Sequence, residues 1–138
     1  MAKVHKQEEY DGSAAEMWER IGDFHGLHSW HPGVAACHKL EGGAARELIL
    51  ADGGKIVETQ LDSEPSRSYS YRIDESPLPV ADYTATLTVR EADDGCAVVW
   101  TAQFEPSGAS EDEAVTVIGG IFDSGLDALK QEEREGSL

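Results

Sequence analysis

The sequence predicts an α+β domain spanning residues 1–138, in which a seven-stranded, curved antiparallel sheet surrounds one long C-terminal helix in the order β-α-α-β6-α. Three observations predict it. Between residues 34 and 105, six stretches of alternating apolar and polar residues follow one another with only short turn sequences between them, the pattern of an antiparallel meander. Near the C-terminus, Val115, Ile118, Phe122, Leu126 and Leu129 recur at helical spacing and form one apolar stripe. A sheet with one face to bury and a single helix large enough to cover it must curl around that helix, with either core or cavity between them. At 138 residues the chain buries roughly two-thirds of its unfolded surface, enough for one such domain and too little for two.

Residues 4–10 alternate weakly and form a charged edge strand. Asp11-Gly12 turns the chain. Ser13, with Glu16 three residues later, makes a capping box that opens a helix over residues 14–23, with Ala14, Met17, Trp18 and Ile21 on its apolar face. Gly22 and Gly26 interrupt it around Phe24, a second short helix follows, and Pro32-Gly33 closes the segment. Strands are then expected at 34–41, 45–51, 55–62, 68–74, 81–90 and 96–105. Gly42-Gly43, Asp52-Gly53-Gly54, Glu64-Pro65-Ser66, Pro77-Leu78-Pro79 and Asp93-Asp94-Gly95 separate them with recognised turn chemistry. Glu111, Asp112 and Glu113 open the last helix where acids suit its dipole, and Lys130 and Arg134 lie towards its end. Gly119 and Gly120 on that helix make room for a cavity.

Strand alternation sorts side chains between the two faces. Tyr83, Ala85, Leu87 and Val89 share an inward face, as do Val98, Trp100, Ala102 and Phe104, and Tyr69, Tyr71 and Ile73. Buried phenols and indoles need hydrogen-bond partners, so this interior is either a cavity that supplies them or a dry core whose polar tips reach the rim. Arg46 and Glu58 fall nearly opposite each other across the 52–54 turn. Inside, they would clamp an anion and carry a proton; outside, they are a cross-strand ion pair of less than about 1 kcal/mol.

Eleven Lys and Arg against 27 Asp and Glu give a formal charge of −16, which excludes nucleic acid and anionic membranes as partners for want of basic clusters. With no apolar run of about 18 residues there is no membrane span, and with no apolar stretch behind the basic start the expected location is cytoplasmic. Cys37 and Cys96 have no paired spacing and read as small core residues. His25, His28 and His31 lack a fourth ligand at zinc spacing, so no metal is expected, and the histidines are placed at the rim of the opening. No serine lies in a nucleophile elbow.

The stretches WERIGDFHGLHSWHP at 18–32, PLPVADY at 77–83 and WTAQFEP at 100–106 resemble the SRPBCC superfamily, also called the START or birch-pollen-allergen-like helix-grip fold. Within it the chain is similar to the polyketide cyclase/dehydrase and lipid-transport group that includes MxaD-like bacterial proteins. The resemblance runs over essentially the whole chain and implies a ligand held between sheet and last helix, with no cofactor. A narrower similarity, to plant lachrymatory factor synthases, implies that Arg46, Glu58 and Tyr83 occupy catalytic positions inside the cavity. The chain departs from those enzymes in its shorter loops and its histidine-rich second helix.

Taken together, residues and resemblance lead to a protein, monomer or homodimer, that binds a hydrophobic or amphipathic small molecule. The residues expected around that molecule are His28, Trp30, Tyr69, Tyr71, Trp100, Phe104, Ile118 and Phe122. With Glu58 as general acid/base, Arg46 holding an oxyanion and Tyr83 bonding the substrate, cyclisation, dehydration or isomerisation would proceed by proton transfer. The alternatives are a non-catalytic carrier or sensor, and an acidic protein-interaction module with a filled core.

Overall fold

The computed structural model describes residues 1–136. Its strands are β1 (Ala2–Tyr10), β2 (Val34–Leu40), β3 (Ala45–Leu50), β4 (Lys55–Glu64), β5 (Ser68–Glu75), β6 (Val80–Ala92) and β7 (Gly95–Pro106). All pair antiparallel in one sheet of order β1-β7-β6-β5-β4-β3-β2, so the meander runs from β2 to β7 and the first strand returns to close on the last. Helix α1 (Ala14–Ile21) and a 3-10 turn (Leu27–Ser29) carry the chain from one sheet edge to the other, and α2 (Glu111–Arg134) packs on the inner face. This is the helix-grip architecture expected. No helix among the described residues is long and apolar enough to cross a membrane.

Both helices begin as their sequences dictate. The Ser13 and Ser110 hydroxyls accept from the backbone N–H of Glu16 and Glu113, whose carboxylates reach back to the cap N–H. Helix α1 stops at Ile21, two residues short of the expected end at residue 23, with Gly22 as its C-cap and the Trp18 indole folded over that glycine. A Cβ at Gly22 would lie 2.4 Å from that ring. The second short helix shrinks to the single turn at Leu27–Ser29.

The sheet curls through register shifts that each insert one extra residue. They lie between Val34 and Ala36, Val57 and Glu58, Gln60 and Asp62, and Ala81 and Thr84. The shift between Gln60 and Asp62 leaves Leu61 facing outward, 47% exposed. Two of the four flank the segment from Glu58 to Gln60.

Helix α2 is seated on the sheet by stacking and close approach. The Phe122 ring stacks on Trp100 at 4.3 Å and 9°, a geometry contributing about 0.5–1.5 kcal/mol beyond area burial. Gly125 lets the helix press against three rings: a Cβ there would lie 2.8 Å from His31 and 3.0 Å from each of Trp100 and Trp30. Gly119, expected to open space, is instead packed under the Lys6 side chain, and Gly120 faces open solvent. The glycine the fold requires is Gly125, which the apolar stripe did not single out.

Those environments predict opposite effects of one substitution on one helix. Gly125→Ala should lower stability by about 1–3 kcal/mol through overpacking, and Gly120→Ala should raise it by about 0.5–1 kcal/mol through the lower entropy of the unfolded chain. Urea titrations of the two variants beside the parent chain check both signs.

Candidate functional site

Between the inner sheet face, the loop at 27–34 and the first half of α2 lies a cavity of about 370 Å³. Leu48, Ile56, Ile73, Leu78, Ile118 and Phe122 make its walls largely apolar, and exposed Ala51, Asp52 and Val117 mark its mouth. The interior is therefore not a filled core.

The polar end of the cavity is built on the β3–β4 pair. Arg46 and Glu58 are directly opposite in the register and both face inward. Arg46 Nε donates to Glu58 Oε1 at 2.8 Å and Nη2 lies 2.7 Å from the same oxygen, while Nη1 donates to the Phe24 carbonyl oxygen at 2.5 Å. The guanidinium carbon sits 4.0 Å from the Phe24 ring centroid, 5.0 Å from that of Tyr71 and 5.6 Å from that of Tyr69. Burial works most strongly against the cation, but Glu58 with Tyr69 and Tyr71 together outweigh it, so Arg46 stays charged. Burial pushes the Glu58 carboxyl above its ordinary range, and Arg46 pulls it only part of the way back. Glu58 lines the cavity; Arg46, wholly buried, stands behind it and does not.

Beside Glu58, Trp100 Nε1 donates to the Tyr71 hydroxyl at 3.1 Å. Tyr71 accepts that bond on the cavity wall, next to the Tyr83 ring at 6.2 Å. Tyr83 also lines the cavity, its ring stacked on Phe104 at 5.9 Å. Burial raises the pKa of both phenols, which stay protonated.

Of the residues expected around a ligand, the structure brings Glu58, Tyr71, Tyr83, Trp100, Ile118 and Phe122 together on the cavity wall. Arg46, Tyr69, Trp30 and Phe104 are buried behind it. The hydroxyl of Tyr69 and the indole N–H of Trp30 have no hydrogen-bond partner among the described residues, and their rings serve as packing for Arg46 and for α2. His28 does not rim the opening. The 3-10 turn sends Leu27 inward and leaves His28 exposed. Arg46 does not reach an oxyanion in the cavity, since it is wholly buried behind the lining, with Nε on Glu58, Nη1 on the Phe24 carbonyl oxygen and Nη2 without a hydrogen-bond partner among the described residues.

The histidine in the wall is His31, 4% exposed. Its Nδ1 accepts from the Gly33 N–H at 3.0 Å, so Nε2 carries the proton and donates to the Ile121 carbonyl oxygen at 2.7 Å. The ring is a neutral strap between the loop and α2, and burial holds its pKa below the ordinary 6.5. Proline and glycine after it signalled a turn; nothing in its spacing distinguished it from His25 and His28.

The family model described as polyketide cyclase/dehydrase and lipid transport matches residues 1–132. The chain belongs to this family. It is similar to XoxI from Bacillus cereus at 33% identity and TM-score 0.96, covering 100% of this chain and 99% of that one. A Bacillus thuringiensis protein is also 33% identical, with TM-score 0.91 over 94% of this chain and 97% of that one. A START superfamily protein from Mycobacterium smegmatis shares the fold, with TM-score 0.79 at 12% identity over 98% of this chain and 99% of that one. No curated protein matches the chain.

Two predictions concern what holds this site. Arg46→Met strands the buried Glu58 carboxylate and should cost about 3–5 kcal/mol, and Arg46→Met with Glu58→Leu should recover most of that in a chemical-denaturation cycle. Because the folded pKa of His31 is lowered, its contribution to stability is present above the unfolded value of 6.5 and lost as pH falls through the folded value. Between pH 7 and 5 the parent chain should therefore lose stability relative to His31→Gln, by up to about 1.4 kcal/mol per pH unit below 6.5. Thermal melts of the two chains across that range measure the difference.

Proposed function

We propose that this family member binds a hydrophobic or amphipathic small molecule in the cavity and moves a proton on it at Glu58, without a cofactor. The observation that carries this reading is a carboxyl at the polar end of an apolar cavity, with one oxygen held by Arg46 and the other, Oε2, making no hydrogen bond with a described residue. Burial raises its pKa above the ordinary carboxylate value, the direction that suits a carboxyl exchanging protons with a substrate. In this reading Glu58 is the catalytic acid/base, Tyr71 and Tyr83 bond the reacting oxygen of the substrate, and Arg46 is a positioning residue. Cyclisation, dehydration or isomerisation of a carbonyl compound suits the set. A cytoplasmic protein of one domain, monomeric or homodimeric, belongs to the same proposal.

A second reading, a carrier or sensor, is favoured by the same commitment of hydrogen bonds. The ring nitrogens of His31 are both engaged and Arg46 is withheld, so the deep end of the wall offers one carboxyl and two phenols, a set that also satisfies the single polar group of a passively held molecule.

Native mass spectrometry of the purified chain should show a copurifying small molecule, which supplies the candidate substrate. On that compound Glu58→Gln should keep affinity and lose at least about a hundredfold in turnover. Arg46→Lys should shift the pH profile of turnover, which a purely structural role would leave in place. Loss of affinity in Glu58→Gln with no turnover in the parent chain would establish the carrier.

A further inference from the structure

The charge balance of the cavity says which polar group it admits. Its wall carries two carboxylates, Glu58 at depth and Asp52 at the mouth, and no Lys or Arg among the described residues. The nearest cation, Arg46, is shielded behind Glu58, with Nε and Nη1 bonded to Glu58 and Phe24 and Nη2 held against Glu58. His31 cannot serve as a cation in place, because protonating Nδ1 would set its new N–H against the Gly33 N–H it now accepts. What remains is an acceptor, Glu58 Oε2, and the phenol hydroxyls of Tyr71, which accepts from Trp100, and Tyr83.

A hydroxyl matches that set. It has one proton to give to Glu58 and lone pairs to accept from the Tyr71–Tyr83 phenols. A carboxylate brings no proton and places a second anion against Glu58 in an apolar surround with no free cation to offset it. We infer that the cavity selects apolar compounds bearing a neutral hydroxyl, as alcohol, phenol or enol, and turns away the corresponding carboxylates. This rests on the proposal that the cavity binds a small molecule and narrows its substrate class to enolisable or hydroxylated compounds. Fatty acids and other carboxylate-ended lipids fall outside that class.

Two matched pairs test it on the parent chain by isothermal titration calorimetry at pH 7.5: 2-naphthol against 2-naphthoate, and 1-decanol against decanoate. The hydroxyl member of each pair should bind about 10- to 100-fold more tightly. That ratio should persist in 1 M salt, which screens the surface charge but not a buried carboxylate. Equal binding within both pairs overturns the inference and leaves the cavity reading intact, whereas no binding by any of the four overturns both. A ratio that collapses in high salt assigns the discrimination to the acidic surface and also overturns it. In Glu58→Gln, Arg46 loses its counterion, so the carboxylates should gain at least tenfold on the hydroxyl compounds; an unchanged ratio in a folded variant rejects Glu58 as the selector. If that variant does not fold, Tyr71→Phe serves. It should weaken the hydroxyl members and leave the carboxylates where they were, and an unchanged ratio there counts against the inference in the same way.

Discussion

The pairing of Arg46 with Glu58 constrains most of what surrounds it. Each charge alone would be too costly to bury; together they are tolerated because the ions neutralise each other at 2.7–2.8 Å, Nη1 takes the Phe24 carbonyl oxygen and three aromatic faces flank the guanidinium. That arrangement fixes the β3–β4 register, because a slip of one residue would send both charges to the outer face and bring Glu47 and Val57 inward. It also fixes the crossing segment, since Arg46 takes the Phe24 carbonyl oxygen between α1 and the 3-10 turn. Replacing such a pair by apolar residues is often neutral or stabilising. Its presence at the polar end of a cavity is thus better explained by what it presents to the cavity than by stability.

Helix α2 divides into two halves with different jobs, and the division explains why the cavity lies where it does. Leu126 and Leu129 in the second half are buried, and the Tyr10 hydroxyl donates to the Leu126 carbonyl oxygen at 2.7 Å, tying that half to β1. At the junction Gly125 brings the helix down onto Trp30, His31 and Trp100, and the Phe122 ring stacks on Trp100. Before the junction, Val117, Ile118 and Ile121 line the cavity or its mouth, and Val117 is 39% exposed. The helix is clamped at its middle by the aromatic cluster and the His31 strap, and the half before the clamp covers the cavity.

The strand alternation made the fold and the aromatic interior legible, because a period of two is a local property of the chain. Tyr71, Tyr83 and Trp100 were read inward on that basis and lie inward. The placement of Arg46 and Glu58 was not decidable locally. Glu47, Ile49, Val57 and Leu61 compete for the same face, and the choice depends on the turn and on two register shifts that no single strand encodes. Their inward placement fits the β3–β4 pairing, but that Arg46 stands behind Glu58 is a matter of depth, to which periodicity is blind. His31 and Gly125 were missed for the same reason: each acts through a contact about 90 residues distant in sequence, His31 against the Ile121 carbonyl oxygen and Gly125 against Trp30 and His31.

Charge acts on this protein at two ranges. The formal −16 is carried almost wholly by exposed side chains, where attraction and repulsion fade over about 8 Å at physiological salt. Among the described residues, the buried charged pair is Arg46 and Glu58, and its formal charges cancel. Cancellation does not make the pair inert, because its two members are not equivalent to a molecule in the cavity: one is in front and the other behind. The cavity meets a carboxyl oxygen, with the cation acting through it to set its acidity and hold its orientation. The same two residues with their order reversed would present a guanidinium and make an anion site, so the depth ordering of Arg46 and Glu58, more than their presence or the acidic coat outside, determines the chemistry this cavity can support.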